Sequence, residues 1–471
     1  MTTEATTIEL PREASAAASS SRREPERLLA APPLHAIVRL AAPTSGVMVI
    51  AATSNVIYTY FVSRLGSEAI AAVSLVFPIS LIATTMMGGG IGSGAASAVA
   101  RALGARRARE AIAVAEHGLF LAVVAGLAFA LAIVVGGPAL FGLMGGKGAV
   151  LAYATVFARI LFGGAVITFV SGMLDSILRG EGNVRIAAVW SSMSLLLQIA
   201  LTPVFMFWLG LGLPGAAVAT LVSQLIATTP RAYYVFSGRG IVHPGLWPRG
   251  LAMAPLREIL RVGIPASLST LIGYVSIMIL TGVLARFGEA HLAAYGLGTR
   301  LDFLMLTLVY GCGAAVLTLV GLATGARRPD RATSYVVRAG AMMVAVLAVP
   351  STLLCWRPAL WLNIFTRDPA IHAVGEQYFR IIGPSYPFVG VSMVIAFAFQ
   401  GLGRATAPLV LMATRALGVL TVALICTQWL GFGDRSVFIT VAIGNVISAG
   451  LMTTLFVRTQ HHVRRRMAGS Q

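Results

Sequence analysis

A carboxylate set deep in an apolar run is costly to keep there and marks a candidate site, so Asp302 is the first residue to account for. It lies eleven residues past His291, which at ~1.5 Å per helical residue is roughly 16 Å deep, near the middle of a hydrocarbon core of roughly 30 Å. A proton or a bound cation would neutralise it, which makes it a cation-coupling candidate. The alternative to coupling is a structural ion pair: Arg300, two residues away, does not face it on a helix, so Arg415 is the better partner for such a pair. Asp175 is the second cation-coupling candidate. It stands four residues before Arg179, about 6 Å from a segment end, and is expected to snorkel toward water. Glu116 and His117 fall in the first turns of their segment and read as interfacial. Arg159 and Arg380 sit near segment ends and suit helix anchoring. Cys312, Cys355 and Cys426 have no paired spacing, so they read as packing residues. No residue set suggests a metal or a catalytic centre, and the chain reads as neither enzyme nor metalloprotein.

The elements that must position these residues follow from composition. The 471 residues are 57% hydrophobic and 11% charged, with a mean hydropathy of +0.84. A water-soluble domain would lack polar surface at that balance. Uncharged stretches recur at 41–62, 69–100, 186–209, 211–230, 262–285, 339–356, 381–403 and 436–457. Four more, near 111–137, 150–178, 292–326 and 405–430, carry only a few ionisable residues. Each can cross a membrane as a helix, giving an all-α polytopic protein of about twelve spans. The net charge of +18 would suggest nucleic acid in a soluble protein. Here the arginines alternate between loops: Arg101, Arg106, Arg107 and Arg109 follow span 2, Arg327, Arg328 and Arg331 follow span 8, and Arg464, Arg465 and Arg466 end the chain. That is a positive-inside bias, which predicts cytoplasmic termini and no nucleic-acid partner.

Two halves of the sequence overlay. Pro43 matches Pro265, and Arg64-Leu65-Gly66 matches Arg286-Phe287-Gly288, at a spacing of 222 residues. Gly104-Ala105-Arg106-Arg107 then matches Gly325-Ala326-Arg327-Arg328, and Gly180-Glu181-Gly182 matches Gly401-Leu402-Gly403, at 221. Six spans per half is an even number, so the halves are parallel repeats about a central cavity, the usual architecture of alternating access. The expected organisation is a disordered tail at 1–33, a first lobe at 34–236 and a linker at 237–254. A second lobe at 255–458 and a basic tail at 459–471 complete it.

The repeated blocks also resemble the multidrug and toxic compound extrusion (MATE) transporters. Gly66 to Ala72 and Gly104-Ala105 are similar to elements after that family's helices 1 and 2. Arg179-Gly180-Glu181-Gly182-Asn183 resembles the turn after helix 4, Leu209-Gly210-Leu211-Gly212 with Gly215 to Thr220 the turn into helix 6, and Phe399-Gln400-Gly401-Leu402-Gly403 the element after helix 10. The resemblance covers roughly residues 36–457. It implies a secondary-active exporter of amphipathic small organic molecules, driven by antiport of H+ or Na+, with no other cofactor.

Many prokaryotic members carry an Asp on helix 1, an Asn and an Asp four apart on helix 5, and a Thr on helix 6. Carried over by motif, those positions are Tyr58, Gln198, Thr202 and Thr220, and only the threonine is retained. The acidic residue that another branch places on helix 7 falls on Gly273. Tyr58, Gln198, Thr202 and Thr220, with Asn55 about one turn from Tyr58, are expected to form a polar cavity or, equally, helix-to-helix glue. Phe61, Phe77, Tyr274, Phe303, Met305, Tyr386 and Phe388 are candidate apolar walls. The resemblance also leaves open a lipid-linked saccharide flippase of the wider superfamily, or an exporter of one specific metabolite. The expected setting is the inner membrane, as a monomer whose partners are the lipid bilayer and a small-molecule substrate.

Overall fold

A segment with no water to satisfy its peptide groups must satisfy them within itself, and the chain does so as helix after helix. The computed structural model describes residues 24–468 apart from 246 and 249. The expectations for residues 1–23, Arg249 and residues 469–471 fall outside the described residues. A short helix α1 (Glu24–Ala30) is followed by α2 (Pro33–Ser63), α3 (Ser67–Gly104), α4 (Ala108–Leu143), α5 (Gly148–Gly163), α6 (Ala165–Gly180), α7 (Val184–Trp208) and α8 (Gly212–Phe236). The second half runs α9 (Met253–Ala285), α10 (Glu289–Gly325), α11 (Pro329–Trp356), α12 (Ala359–Leu362), α13 (Pro369–Gly401), α14 (Thr406–Trp429) and α15 (Arg435–Ala468). Eleven of these are long and apolar enough to span a membrane, and α5 with α6, bent by 47° at Gly164, makes the twelfth crossing. No described residue is in a strand. The expected tail is helical over Glu24–Ala30, and α15 continues through the basic segment to Ala468.

The sequence repeat reappears in the turns. Gly182 and Gly403 have φ of 86° and 75°, and Arg106 and Arg327 have φ of 59° and 56°. Both pairs stand 221 residues apart. Arginine rarely adopts the left-handed region, so finding it at both equivalent loops means that the two turns are built alike. The π-helical turns at Val204–Trp208 and Ile425–Trp429 repeat at the same spacing.

The lobes, α2–α8 and α9–α15, meet through α2, α3 and α4 against α9 and α10. A Cβ on Gly104 would lie 2.1 Å from the Leu322 carbonyl oxygen, and one on Gly325 would lie 2.0 Å from that of Arg101. Leu322 is itself the repeat counterpart of Arg101, so α3 and α10 cross as equivalents about the pseudo-twofold axis. Only glycine allows backbones this close. Arg101 closes the same end, donating to the Gly401 carbonyl (3.2 Å) and pairing with Glu258 (3.2 Å). Helix α1 lies across the seam: Glu26 pairs with Arg106 of the first lobe (3.0 Å), while Leu28 accepts from the Tyr335 hydroxyl of the second (3.0 Å).

The linker is strapped to the first lobe. Its Val242 N–H donates to Glu181 (2.6 Å), its Gly245 N–H to Glu116 (2.9 Å), and its Ala252 N–H to His117 Nε2 (2.9 Å). His117 Nδ1 lies 2.7 Å from the Ala113 carbonyl, so the neutral tautomer protonated at Nδ1 satisfies both contacts. Glu116 and His117, read as interfacial from sequence, are thus linker anchors.

Candidate functional site

The second-lobe site starts from a missing side chain. A Cβ on Gly298 would meet the Tyr378 ring at 2.4 Å, so glycine one turn before Asp302 lets that ring lie flush against α10. The Tyr378 hydroxyl then donates to Asp302 Oδ2 (2.8 Å), and the Tyr386 hydroxyl to Oδ1 (2.6 Å). Both tyrosines belong to α13, on either side of the 3-10 turn Gly383–Ser385, and both are buried. Tyr295 and Phe438 pack edge-on against Tyr378. The alternative ion pair with Arg415 is not formed: Arg415 donates to Asn445, whose Nδ2 donates to Ser385 Oγ (2.8 Å). Arg300 turns to the ring of Phe365. Among the described residues Asp302 therefore has two hydroxyl donors and no cationic partner within ion-pairing distance. A lone carboxylate so placed can take up a proton or a monovalent cation.

In the first lobe the polar residues converge in part. Gln198 Nε2 donates to Thr220 Oγ1 (2.9 Å), which donates in turn to the Ala216 carbonyl (2.9 Å). The Tyr58 hydroxyl faces the same threonine. Thr202 is fully buried with its hydroxyl on the Gln198 carbonyl (2.6 Å), so it is turned into the helix packing. Asn55 is exposed. This set ties α2, α7 and α8 together and contains no charge. Of the candidate apolar walls, Met305 and Tyr386 are buried in the core, while Phe77, Phe303 and Phe388 are exposed.

Asp175 does not snorkel. It pairs with Arg231 (2.7 Å) and accepts from Ser191 (2.9 Å), and Arg231 is 2% exposed. Arg231 was not singled out from the sequence, because after Pro230 at a span end it reads as another loop arginine. Glu181 lies in the turn after α6, between two glycines that carry the sequence pattern there. It is 2% exposed, with Oε2 unpartnered among the described residues. Burial pushes its carboxyl up to about 8, against the pull of the Val242 N–H.

Comparison with known proteins agrees with this architecture. The family model described as MatE matches twice, at residues 43–204 and 265–426, once per lobe. An FAD transporter of Shewanella oneidensis is 25% identical over 399 residues, covering 82% of this chain and 86% of that one. The multidrug export protein MepA of Staphylococcus aureus is 26% identical over 370 residues, 76% of this chain and 79% of that one. Among solved structures, a MATE protein in its bent conformation superposes with a TM-score of 0.89 at 29% identity, over 94% of this chain and 98% of that one. The outward-facing conformation of a multidrug resistance MATE family transporter gives 0.86 at 29% identity, over 93% and 98%.

Proposed function

The chain belongs to the MATE family, and on that premise we propose that it is a secondary-active exporter of amphipathic small organic molecules, with Asp302 as its coupling group. The observation that carries the assignment is the Asp302 carboxylate held by Tyr378 and Tyr386 with no cationic partner among the described residues, in a protein whose first-lobe cluster carries no acid. Asp175 is already neutralised by Arg231, so its role is to hold α6, α7 and α8 together.

Helix α10 gives the coupling a physical route. It carries Asp302 at mid-span and, twenty residues on, Leu322 and Gly325 at the lobe seam. Occupancy of Asp302 by a cation changes what Tyr378 and Tyr386 bond to, and so how α10 sits against α13. A shift of α10 is a shift of the seam, which links cation binding to alternating access. The arginine-rich end, where the seam is closed, is the cytoplasmic side, so both termini are cytoplasmic and this conformation is closed toward the cytoplasm. The protein acts in the inner membrane as a monomer. The coupling ion is a proton or sodium. The phenol donors around Asp302 offer few further oxygen ligands for a metal ion, which favours the proton.

A second reading is export of one specific metabolite. The FAD transporter relative favours it, as does a first-lobe cluster of uncharged hydrogen-bonding groups. The test is transport by the full chain in proteoliposomes, with a cationic dye and with FAD, under an imposed pH gradient or an imposed sodium gradient. Dye efflux under one gradient supports the broad exporter; FAD movement without dye movement supports the metabolite reading. Neither substrate moving under either gradient overturns the broad exporter and FAD as the specific metabolite.

A further inference from the structure

On the outer face of the second lobe, α11 and α15 diverge over α13 and leave a groove of about 350 Å³. Its walls are apolar along most of their length, with Val344, Ile395 and Phe456 prominent. Of its polar groups, Thr333, Gln460, His461 and Arg464 gather at the arginine-rich end of the protein, while Thr453, deeper in the groove, has its hydroxyl turned back onto the Ala449 carbonyl (2.7 Å). From Val344 to Thr333 the groove follows α11 for eleven residues, about 16 Å, close to half of a hydrocarbon core of roughly 30 Å. It therefore has the length of one leaflet and the polarity of a lipid, apolar below and polar at the surface.

Two further observations point to an occupant. Gln460 is 5% exposed, and its Nε2 has no hydrogen-bond partner among the described residues. A buried amide left so is costly unless something accepts from it. The first lobe shows the same face covered. At the 221-residue spacing of the repeat, Val337 and Ala341 of the groove correspond to Glu116 and Phe120 of α4. There the linker lies over α4, with Gly245 bonded to Glu116 and the Trp247 ring edge-on to Phe120 at 5.2 Å. No described segment covers the second-lobe counterpart.

We propose that this groove is a binding site for an anionic phospholipid of the leaflet on the arginine-rich side. One acyl chain lies along α11 between Val344 and Val337, and the phosphate accepts from Gln460 Nε2 and Arg464. Arg464 is held meanwhile by Asp330 at 2.8 Å, in a pair whose side chains are 47% and 84% exposed. Exposed pairs of this kind are worth little, and a phosphate displaces the carboxylate. A lipid with a neutral headgroup gains less from the same arginine.

The test is native mass spectrometry of the full chain purified in detergent, titrated with phosphatidylglycerol, phosphatidylcholine or glycerol phosphate. The natural protein should prefer phosphatidylglycerol over phosphatidylcholine by about fivefold, the value of one basic side chain at an anionic membrane surface. Arg464→Glu should erase the preference, and Ala341→Trp, which fills the groove as Phe120 and Trp247 do in the first lobe, should lose the tightest-bound lipid altogether. Both positions are exposed, and unfolding midpoints in lipid-free detergent establish that the variants are folded. Equal retention of phosphatidylglycerol by all three proteins would overturn the proposal. So would saturation of the site by glycerol phosphate alone, or a dimer that Ala341→Trp dissociates, which would make the occupant a second copy of the chain.

Discussion

The Tyr386 hydroxyl donates to Asp302 Oδ1 over 2.6 Å, from the first turn after the 3-10 break in α13 to the middle of α10. A hydrogen bond to a charged acceptor contributes about 1.5–3 kcal/mol, so its loss is large on the scale of a transport equilibrium. Tyr386→Phe should slow gradient-driven efflux by roughly tenfold or more. In an Asp302→Asn background the same substitution should add little, because the two residues act as one unit. Efflux rates of the four proteins in proteoliposomes make the comparison.

Arg231, buried, and Asp175, half-buried, form a second pair on the arginine side. Removing one partner of such a pair leaves an uncompensated charge, whereas replacing both with apolar groups is often neutral. Arg231→Met should therefore cost about 3 kcal/mol of stability, and Arg231→Met with Asp175→Leu should recover most of it. Thermal unfolding in detergent reads both.

Glu181 makes linker docking pH-dependent. Its carboxyl is pushed from 4.5 up to about 8 when buried under the linker, so the docked state holds the proton more tightly than the undocked one. Docking is then fully stabilised below 4.5 and weakens as pH rises toward about 8. Hydrogen-exchange protection of the Val242 amide should fall over that window, and Glu181→Gln, which keeps the acceptor for Val242, should flatten the dependence.

The seam depends on Gly104, where a Cβ would lie 2.1 Å from the Leu322 carbonyl oxygen. Gly104→Val should prevent α3 and α10 from crossing this closely and depopulate the conformation closed at the arginine-rich end. Spin labels placed at Arg106 and Arg327 should report a longer and broader distance distribution in the variant.

The sequence exposed what depends on local pattern. Apolar run lengths placed the spans, and paired blocks such as Gly180-Glu181-Gly182 and Gly401-Leu402-Gly403 placed the repeat. The matching φ of Gly182 and Gly403 is that repeat seen in the backbone. Position along a helix also singles out Asp302 as a candidate. What faces a residue across the bundle was not legible: Arg415 stands on a neighbouring span but bonds Asn445, while Tyr378 and Tyr386 reach Asp302 from α13. Spacing fixes position along a helix axis but leaves the partner helix unspecified. Arg231 escaped for the same reason, since only the packing of α6 against α8 brings Asp175 to it. Asn55 and Thr202 share a depth with the polar cluster, yet one is exposed and the other is turned into its own helix.

The most direct test of Asp302 as coupling group separates movement of substrate from its coupling to an ion. Natural protein and Asp302→Asn are reconstituted, and a transported dye is followed first down its own gradient and then against it under an imposed ion gradient. The variant should retain downhill movement, which certifies its folding and substrate path, and should lose uphill accumulation. Uphill accumulation by Asp302→Asn at the natural rate would contradict the assignment of coupling to this carboxylate.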